Sequence, residues 1–303
     1  MKRSHPVLRR ISIFLGLLIL AYLVVVAGVH LMADPVPDHA VFENFDTTPL
    51  VIGHADDTGN GLWPGNTMPF LEGIAGLGVD MLEMDTNMTK DGRIILMHDD
   101  TVDRTTNGEG RISDLTLAEI QSLEVGVNWS QDDGQTFPYQ GQGVQVPTLD
   151  EVFERFPDYP MVIEIKQAEP DMTEPFCNLI REYNMEDKVI VASFSDEAIH
   201  TFRQRCPEVA TAPASDEVRN FVLLNFVFLS EILNPTYQAF QVPVKSSGIP
   251  VINGRFVRAA HNRNIQVQVW TINDTAEMQH LIDLGVDGIM TDRPDLLMEL
   301  LGR

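Results

Sequence analysis

Hydrophobic positions in this 303-residue chain fall into two regimes. From Ile11 to Met32 no residue carries a formal charge, apart from the titratable His30. The apolar run from Ile11 to about Val29 is long enough, at about 1.5 Å per helical residue, to cross a hydrocarbon core of roughly 30 Å. From Leu50 onward, short apolar runs alternate with helical stretches to the end of the chain, the pattern of a parallel sheet with helical crossovers. Strand-like runs cover 50–54, 80–85, 93–98, 160–165, 188–193, 208–212, 238–242, 267–271 and 287–291. Nine runs are one more than an eight-stranded barrel needs, and 208–212 and 238–242 are the weakest of them. The pattern predicts an α/β fold: a (β/α)8 TIM barrel over 49–303, preceded by a transmembrane helix at 11–32 and a linker at 33–48. Asn220 to Leu233 is unusually apolar and reads as a buried helix, with a surface touching lipid or an acyl chain as the alternative. The 99–146 segment has no strong period and is rich in Gly, Asp, Gln, Ser and Thr, so it reads as an insertion after the third strand. In a barrel, loops that follow strands build the active-site face.

Charge sharpens the reading of the amino terminus. Lys2, Arg3, Arg9 and Arg10 precede the uncharged run, so 1–10 is expected to remain in the cytoplasm, with the chain from about Asp34 outside it. Cleavage after Ala33 is the competing reading, and Leu31 and Met32 make a poor small-residue site for it. Beyond the anchor, 17 Lys and Arg face 44 Asp and Glu, a formal charge of −27. That excludes a polyanion such as nucleic acid as partner and favours divalent cations near the surface. With 44% hydrophobic and 21% charged residues, the chain can build a sizeable core. Cys177 and Cys206 can form one disulfide in an oxidising compartment or remain two buried thiols, and sequence leaves both open.

Candidate chemistry gathers at four strand ends: His54 after Val51-Ile52-Gly53, Glu83 and Asp85 within Met81 to Asp85, His98-Asp99 after Ile94 to Met97, and Glu164 and Lys166 after Met161 to Ile163. A period of two puts Glu83 and Asp85 on one side of their strand, with Leu82 and Met84 on the other. If the four strands run parallel, these groups meet at the carboxy-terminal rim, where barrel active sites lie. Three carboxylates there call for a hard divalent ion, Ca²⁺ or Mg²⁺, while Lys166 suits a phosphate oxygen and two histidines suit a general acid and base.

Further runs complete a pattern: Pro64-Gly65-Asn66-Thr67, Thr89-Lys90-Asp91-Gly92, Asp103-Arg104-Thr105-Thr106-Asn107-Gly108, Asp114-Leu115-Thr116, Ser193-Phe194, Trp270-Thr271-Ile272-Asn273 and Gly288-Ile289-Met290-Thr291-Asp292. With the four strand ends, they resemble the glycerophosphodiester phosphodiesterase family along nearly the whole domain beyond the anchor. The resemblance implies a barrel enzyme that cleaves a glycerophosphodiester to glycerol 3-phosphate, or to a lysophosphatidic acid, plus an alcohol. It implies His54 and His98 as acid and base, Glu83, Asp85 and Glu164 as ligands of one divalent cation, Lys166 as a phosphate contact and Trp270 as an aromatic wall. Two positions depart from the family: Ala55 stands where it has arginine, and Gly65 where it has glutamate. The loss of both members removes an ion pair without stranding a charge, at the expense of a strong phosphate ligand. The anchor and the apolar stretch before Trp270 resemble membrane-bound members that act as lysophospholipase D. A sphingolipid-directed phospholipase D-like enzyme is an alternative that the Asp-Arg-Thr-Thr-Asn-Gly run disfavours. A degenerate, non-catalytic barrel is another, disfavoured by the intact His54, His98, Glu83, Asp85, Glu164 and Lys166.

Overall fold

The protein was analysed as a computed structural model that describes residues 6–303 except 44 and 46; Lys2, Arg3 and the rest of 1–5 in the expected cytoplasmic segment lie outside the described residues. Helix α1 (Pro6–Met32) carries the uncharged run, is solvent-facing along nearly all its length and has the length and hydropathy of a candidate membrane span. The strands are β1 (Leu50–Gly53), β2 (Met81–Met88), β3 (Ile94–Leu96), β4 (Met161–Ile165), β5 (Val189–Ala192), β6 (Ala210–Thr211), β7 (Ala239–Pro243), β8 (Lys245–Ser246), β9 (Ile249–Pro250), β10 (Gln266–Trp270) and β11 (Gly288–Thr291). The helices after α1 are α2 (Met68–Leu77), α3 (Leu117–Gln121), α4 (Leu149–Arg155), α5 (Thr173–Glu182), α6 (Asp196–Arg205), α7 (Ser215–Phe226), α8 (Gly254–His261), α9 (Thr275–Leu284) and α10 (Pro294–Leu301).

Eight strands run parallel in the order β6-β5-β4-β2-β1-β11-β10-β7. The gap between β6 and β7 is bridged where Gln238 N donates to Thr211 O at 3.0 Å and Thr211 N donates to Gln238 Oε1 at 3.0 Å. The result is a nearly closed barrel with helices outside. One expectation about its strands is corrected, and the two weak candidates are borne out. The run at 93–98 is not a stave: β3 pairs antiparallel with the upper half of β2, Thr86 opposite Leu96 and Met88 opposite Ile94. The weak runs at 208–212 and 238–242 contain the staves β6 and β7. Five residues separate β2 from β3, a hairpin's length, whereas a parallel crossover needs a dozen or more. The turn closes with Thr89 N on Arg93 O at 2.9 Å, and Gly92 takes the left-handed φ of 81° that favours glycine.

Inward side chains of the staves, among them Leu50, Ile52, Met81, Val162 and Ile190, form one buried cluster; outward ones such as Leu82, Met84 and Ile163 pack with the helices in a larger one. Part of the stretch read as a linker belongs to the barrel. Residues Ala40–Phe42 form a 3-10 turn whose Val41, 1% exposed, joins the inner cluster. The 99–146 insertion follows β3 and has a small core of its own, including Val102, Ile112, Ile120, Val125 and Val146. Cys177 of α5 is bonded to Cys206 at the end of α6, with Cα atoms 5.8 Å apart, so the disulfide reading holds. The buried-helix reading of 220–233 holds only in part. Phe221 and Asn225 are buried, but Leu223, Phe226, Val227, Phe228 and Ile232 are 46–57% exposed.

Helix ends are set by local chemistry. Thr67 caps α2 by accepting from Phe70 N, Thr148 and Glu151 form a capping box on α4, and Gly285 closes α9 at a left-handed φ of 78°. At the end of α8, His261 Nε2 meets Asp287 Oδ2 at 2.7 Å, the oxygen that also accepts from Val267 N on β10. That hydrogen bond raises the His261 pKa above its ordinary 6.5. A raised folded-state pKa gives stability that is present below about pH 6.5 and lost as pH climbs through the folded value. The melting midpoint of wild type relative to His261→Gln is therefore expected to be highest below about pH 6.5 and to fall towards that of the variant as pH rises, as measured by thermal unfolding across pH.

Candidate active site

All seven residues singled out from the sequence line one cavity of about 350 Å³ at the carboxy-terminal mouth of the barrel. The β2–β4 register puts Asp85 opposite Glu164, and Glu83 lies one inward step below on β2. Lys166, just past β4, reaches both partners, with Nζ 3.0 Å from Asp85 Oδ1 and 2.9 Å from Glu164 Oε2. Glu83 Oε2 accepts from Ala55 N at 2.7 Å. Burial, then the neighbouring Asp85 charge, pushes the Glu83 pKa up to about 8. Glu164 is likewise raised by burial, with Lys166 opposing. These carboxylates outnumber the fixed cation beside them, and carboxylate oxygens are the donors that a hard divalent ion prefers, so the set fits such an ion.

His54 sits past the end of β1 with Nδ1 2.6 Å from Asp292 Oδ1. Asp292 is held in turn: Asn273 Nδ2 donates to its Oδ2 at 2.5 Å and its own N–H donates to Asn273 Oδ1 at 3.0 Å. Burial pulls the His54 pKa down, but the Glu83 charge and the Asp292 hydrogen bond outweigh it and lift the ring to about 9. The imidazole is oriented through Nδ1, and its Nε2 is the nitrogen left for chemistry.

His98 arrives by the hairpin and not by a parallel stave. β2 continues above the barrel rim, and β3 descends beside it until Met97 N donates to Asp85 O at 3.0 Å. Asn87 Nδ2 fastens the descending turn through Met97 O at 2.9 Å and Asp99 O at 3.0 Å. Asp99 Oδ1 lies 3.0 Å from His98 Nδ1, and Asp99 is gripped by Arg104, whose Nη1 and Nη2 also fork onto Asp57 at 2.6 and 2.8 Å. The Arg104 hydrogen bond holds the Asp99 carboxyl down at about 2.

The departures at 55 and 65 have a structural counterpart. A Cβ on Gly65 would lie 2.2 Å from the Ala55 carbonyl oxygen and 2.6 Å from the Asp56 carbonyl carbon, and Gly65 N donates to Asp56 O at 2.7 Å. The backbone of the 54–61 turn fills the space a side chain at 65 would need. Asp56 organises that turn, accepting from the N–H groups of Thr58, Gly59 and Gly61. Among the described residues that line the pocket, Lys166 is the one lysine or arginine.

Several positioning residues escaped the sequence reading of the site: Asp292, Asn273, Arg104 and Asn66, whose amide brackets Asp85 with Nδ2 on Oδ2 and Oδ1 on its N–H, both at 2.9 Å. Each lies inside a run already singled out, yet only the fold shows which group it touches. Phe194, from the Ser193-Phe194 run, forms an edge contact with Trp270 at 5.7 Å and extends the aromatic wall.

Barrel, rim carboxylates and paired histidines define a hydrolase-type (β/α)8 barrel. Residues 59–296 match the family model described as the glycerophosphoryl diester phosphodiesterase family. The chain is 32% identical to a glycerophosphodiester phosphodiesterase of Caldanaerobacter subterraneus subsp. tengcongensis, over 83% of this chain and 97% of that one. It is 26% identical to a lysophospholipase D of Rattus norvegicus, over 82% and 85%. The solved phosphodiesterase of Oleispira antarctica in complex with sn-glycerol-3-phosphate superposes with a TM-score of 0.63 at 22% identity, covering 84% of this chain and 97% of that one. The chain belongs to the glycerophosphoryl diester phosphodiesterase family, and it is an enzyme of that family.

If Asp292 sets the orientation and proton affinity of His54, Asp292→Asn leaves the fold intact and lowers kcat/KM by on the order of 10²-fold. With His54 as the proton donor, the alkaline limb of the pH–rate profile moves to lower pH at the same time, as steady-state kinetics across pH would record.

Proposed function

We propose that this protein hydrolyses glycerophosphodiesters to glycerol 3-phosphate, or to a lysophosphatidic acid, plus an alcohol. The observation that carries the reading is the shared cavity of His54, His98, Glu83, Asp85, Glu164 and Lys166. The sn-glycerol-3-phosphate held by the Oleispira antarctica barrel supports the same product class. The family is generally dependent on a divalent metal. Glu83, Asp85 and Glu164 would hold that ion, Ca²⁺ or Mg²⁺, which supplies charge neutralisation at a phosphoryl oxygen. Lys166 holds a second phosphoryl oxygen, and Trp270 with Phe194 flanks the alcohol side. His98 takes the proton of the attacking oxygen as its bond to phosphorus forms. His54 gives the Nε2 proton to the leaving oxygen as that bond breaks, and proton exchange between the rings and water resets both.

The same proposal places residues 1–10 in the cytoplasm, anchors the chain in the membrane through 11–32, treats 33–48 as the connection and leaves the 49–303 barrel outside. The Cys177–Cys206 disulfide supports an oxidising compartment for the barrel. A lysophospholipid is the second substrate reading, favoured by the apolar wall that Val218, Val242, Pro243 and Val251 add beside the polar site.

The test is choline release from glycerophosphocholine and from lysophosphatidylcholine by the full-length chain in detergent, with Ca²⁺, Mg²⁺ or chelator. Release that needs the ion and falls by on the order of 10³-fold in both His54→Ala and Glu83→Ala supports the mechanism. Turnover that survives chelation or either substitution contradicts it, and the preferred substrate selects between the two diester classes.

A further inference from the structure

The anchor helix does not hang from the barrel on a free tether. Arg263, 3% exposed, donates from Nε to Asp34 O at 2.8 Å and from Nη1 to Glu231 O and Leu233 O at 2.9 and 2.5 Å. It thereby clamps the exit of α1 to the segment between α7 and β7. Val36 N donates to Arg263 O at 2.8 Å, and Asn264 Nδ2 donates to Val36 O at 2.9 Å. Higher up the helix, His30 Nδ1 lies 2.8 Å from Glu231 Oε2, and the Tyr22 hydroxyl donates to the Val227 carbonyl. Val26, Gly28 and Val29 are half-buried on this side, whereas most of the helix is exposed.

The Tyr22 contact fixes a depth. Tyr22 lies eight residues, about 12 Å of helix, inside His30, so the Val227 carbonyl sits level with the interior of the uncharged run and not with its end. The surface around that carbonyl is apolar: Leu223, Phe226, Val227, Phe228 and Ile232, each 46–57% exposed. Five such side chains in water would be an unfavourable patch, while at the depth of one leaflet they match their surroundings. Arg255, whose guanidinium lies 4.6 Å from the Phe228 ring centroid and 5.9 Å from that of Phe226, supplies the cation expected where such a patch meets headgroups.

Resting on the reading of α1 as a retained membrane span, we infer that the tip formed by the end of α7 and residues 227–232 inserts into the outer leaflet beside the anchor. The bilayer, and no protein partner, is its occupant. α7 begins at the active-site cavity, where Ser215 and Val218 line the wall, and ends at this tip, about 16 Å away along the helix. The helix leaves the mouth after β6 and carries the chain back towards the start of β7, so the tip holds the end of the barrel opposite the cavity, with the anchored patch and the mouth about 16 Å apart.

The chain has two cysteines, both in the disulfide, so one added thiol can be labelled alone. Full-length Leu223→Cys and, separately, Ile232→Cys carry a bimane label in phosphatidylcholine vesicles. Leu18→Cys on α1 and the exposed Gln140→Cys in the insertion are the positive and negative controls. Lipids brominated on the upper acyl chain are expected to remove most of the emission at 223, 232 and 18, while aqueous iodide quenches only 140. With the Leu18 label quenched, labels at 223 and 232 that answer to iodide, or to neither quencher, overturn the inference, the second result meaning that protein covers the tip. An unquenched Leu18 label instead refutes the anchor reading beneath it.

Discussion

Three carboxylates share the mouth of this barrel with one lysine ammonium, and that concentration of like charge constrains everything around it. The β2–β4 register makes Asp85 and Glu164 neighbours, and alternation along β2 brings Glu83 to the same side. Such a group is tolerable only where cations and donors answer it. Lys166 spans two of the carboxylates, Ala55 N serves the third, the Asn66 amide brackets Asp85, and the pKa of His54 is raised by the same field. The carboxylate field that strains the site thus also raises the proton affinity of His54.

Position and chemistry are divided between rigid and adjustable parts. Staves carry the carboxylates, with the lysine one residue past β4, so their spacing is fixed by sheet register. The histidines stand on the segments beyond strands, each with its Nδ1 on an aspartate that is itself secured, His54 through Asp292 and Asn273, His98 through Asp99 and Arg104. The 54–61 turn is organised around Asp56, and its backbone closes the space at Gly65. Arg263 clamps the exit of α1, so the same rigidity extends to the placement of that helix against the barrel.

Much of this is legible in the sequence because strand ends punctuate apolar runs: His54, Glu83, Asp85, Glu164, Lys166 and Trp270 each follow or close one. The strand inventory is less legible. An apolar run such as Ile94 to Met97 reads the same whether it lies parallel or antiparallel, and only the five-residue connection from Met88 betrays the hairpin. β6 has two residues in the ladder and β7 is interrupted by Gln241, so neither produces a strong period. Asp292 and Asn273 sit in visible motifs, but which histidine they serve depends on contacts across more than two hundred residues of chain. The exposure of Leu223 and Phe226 could not be inferred from composition, because a buried helix and a lipid-facing one are equally apolar.

The central claim, that the Glu83, Asp85 and Glu164 carboxylates are arranged for a divalent cation, is tested most directly by the melting midpoint of the full-length chain in detergent, titrated with Ca²⁺ and with Mg²⁺ against chelator. A ligand bound only by the native state must raise the midpoint with its concentration. The account predicts such a rise for at least one ion, and its disappearance in Glu83→Gln. A midpoint that neither ion moves, or one that rises equally in Glu83→Gln, would contradict it.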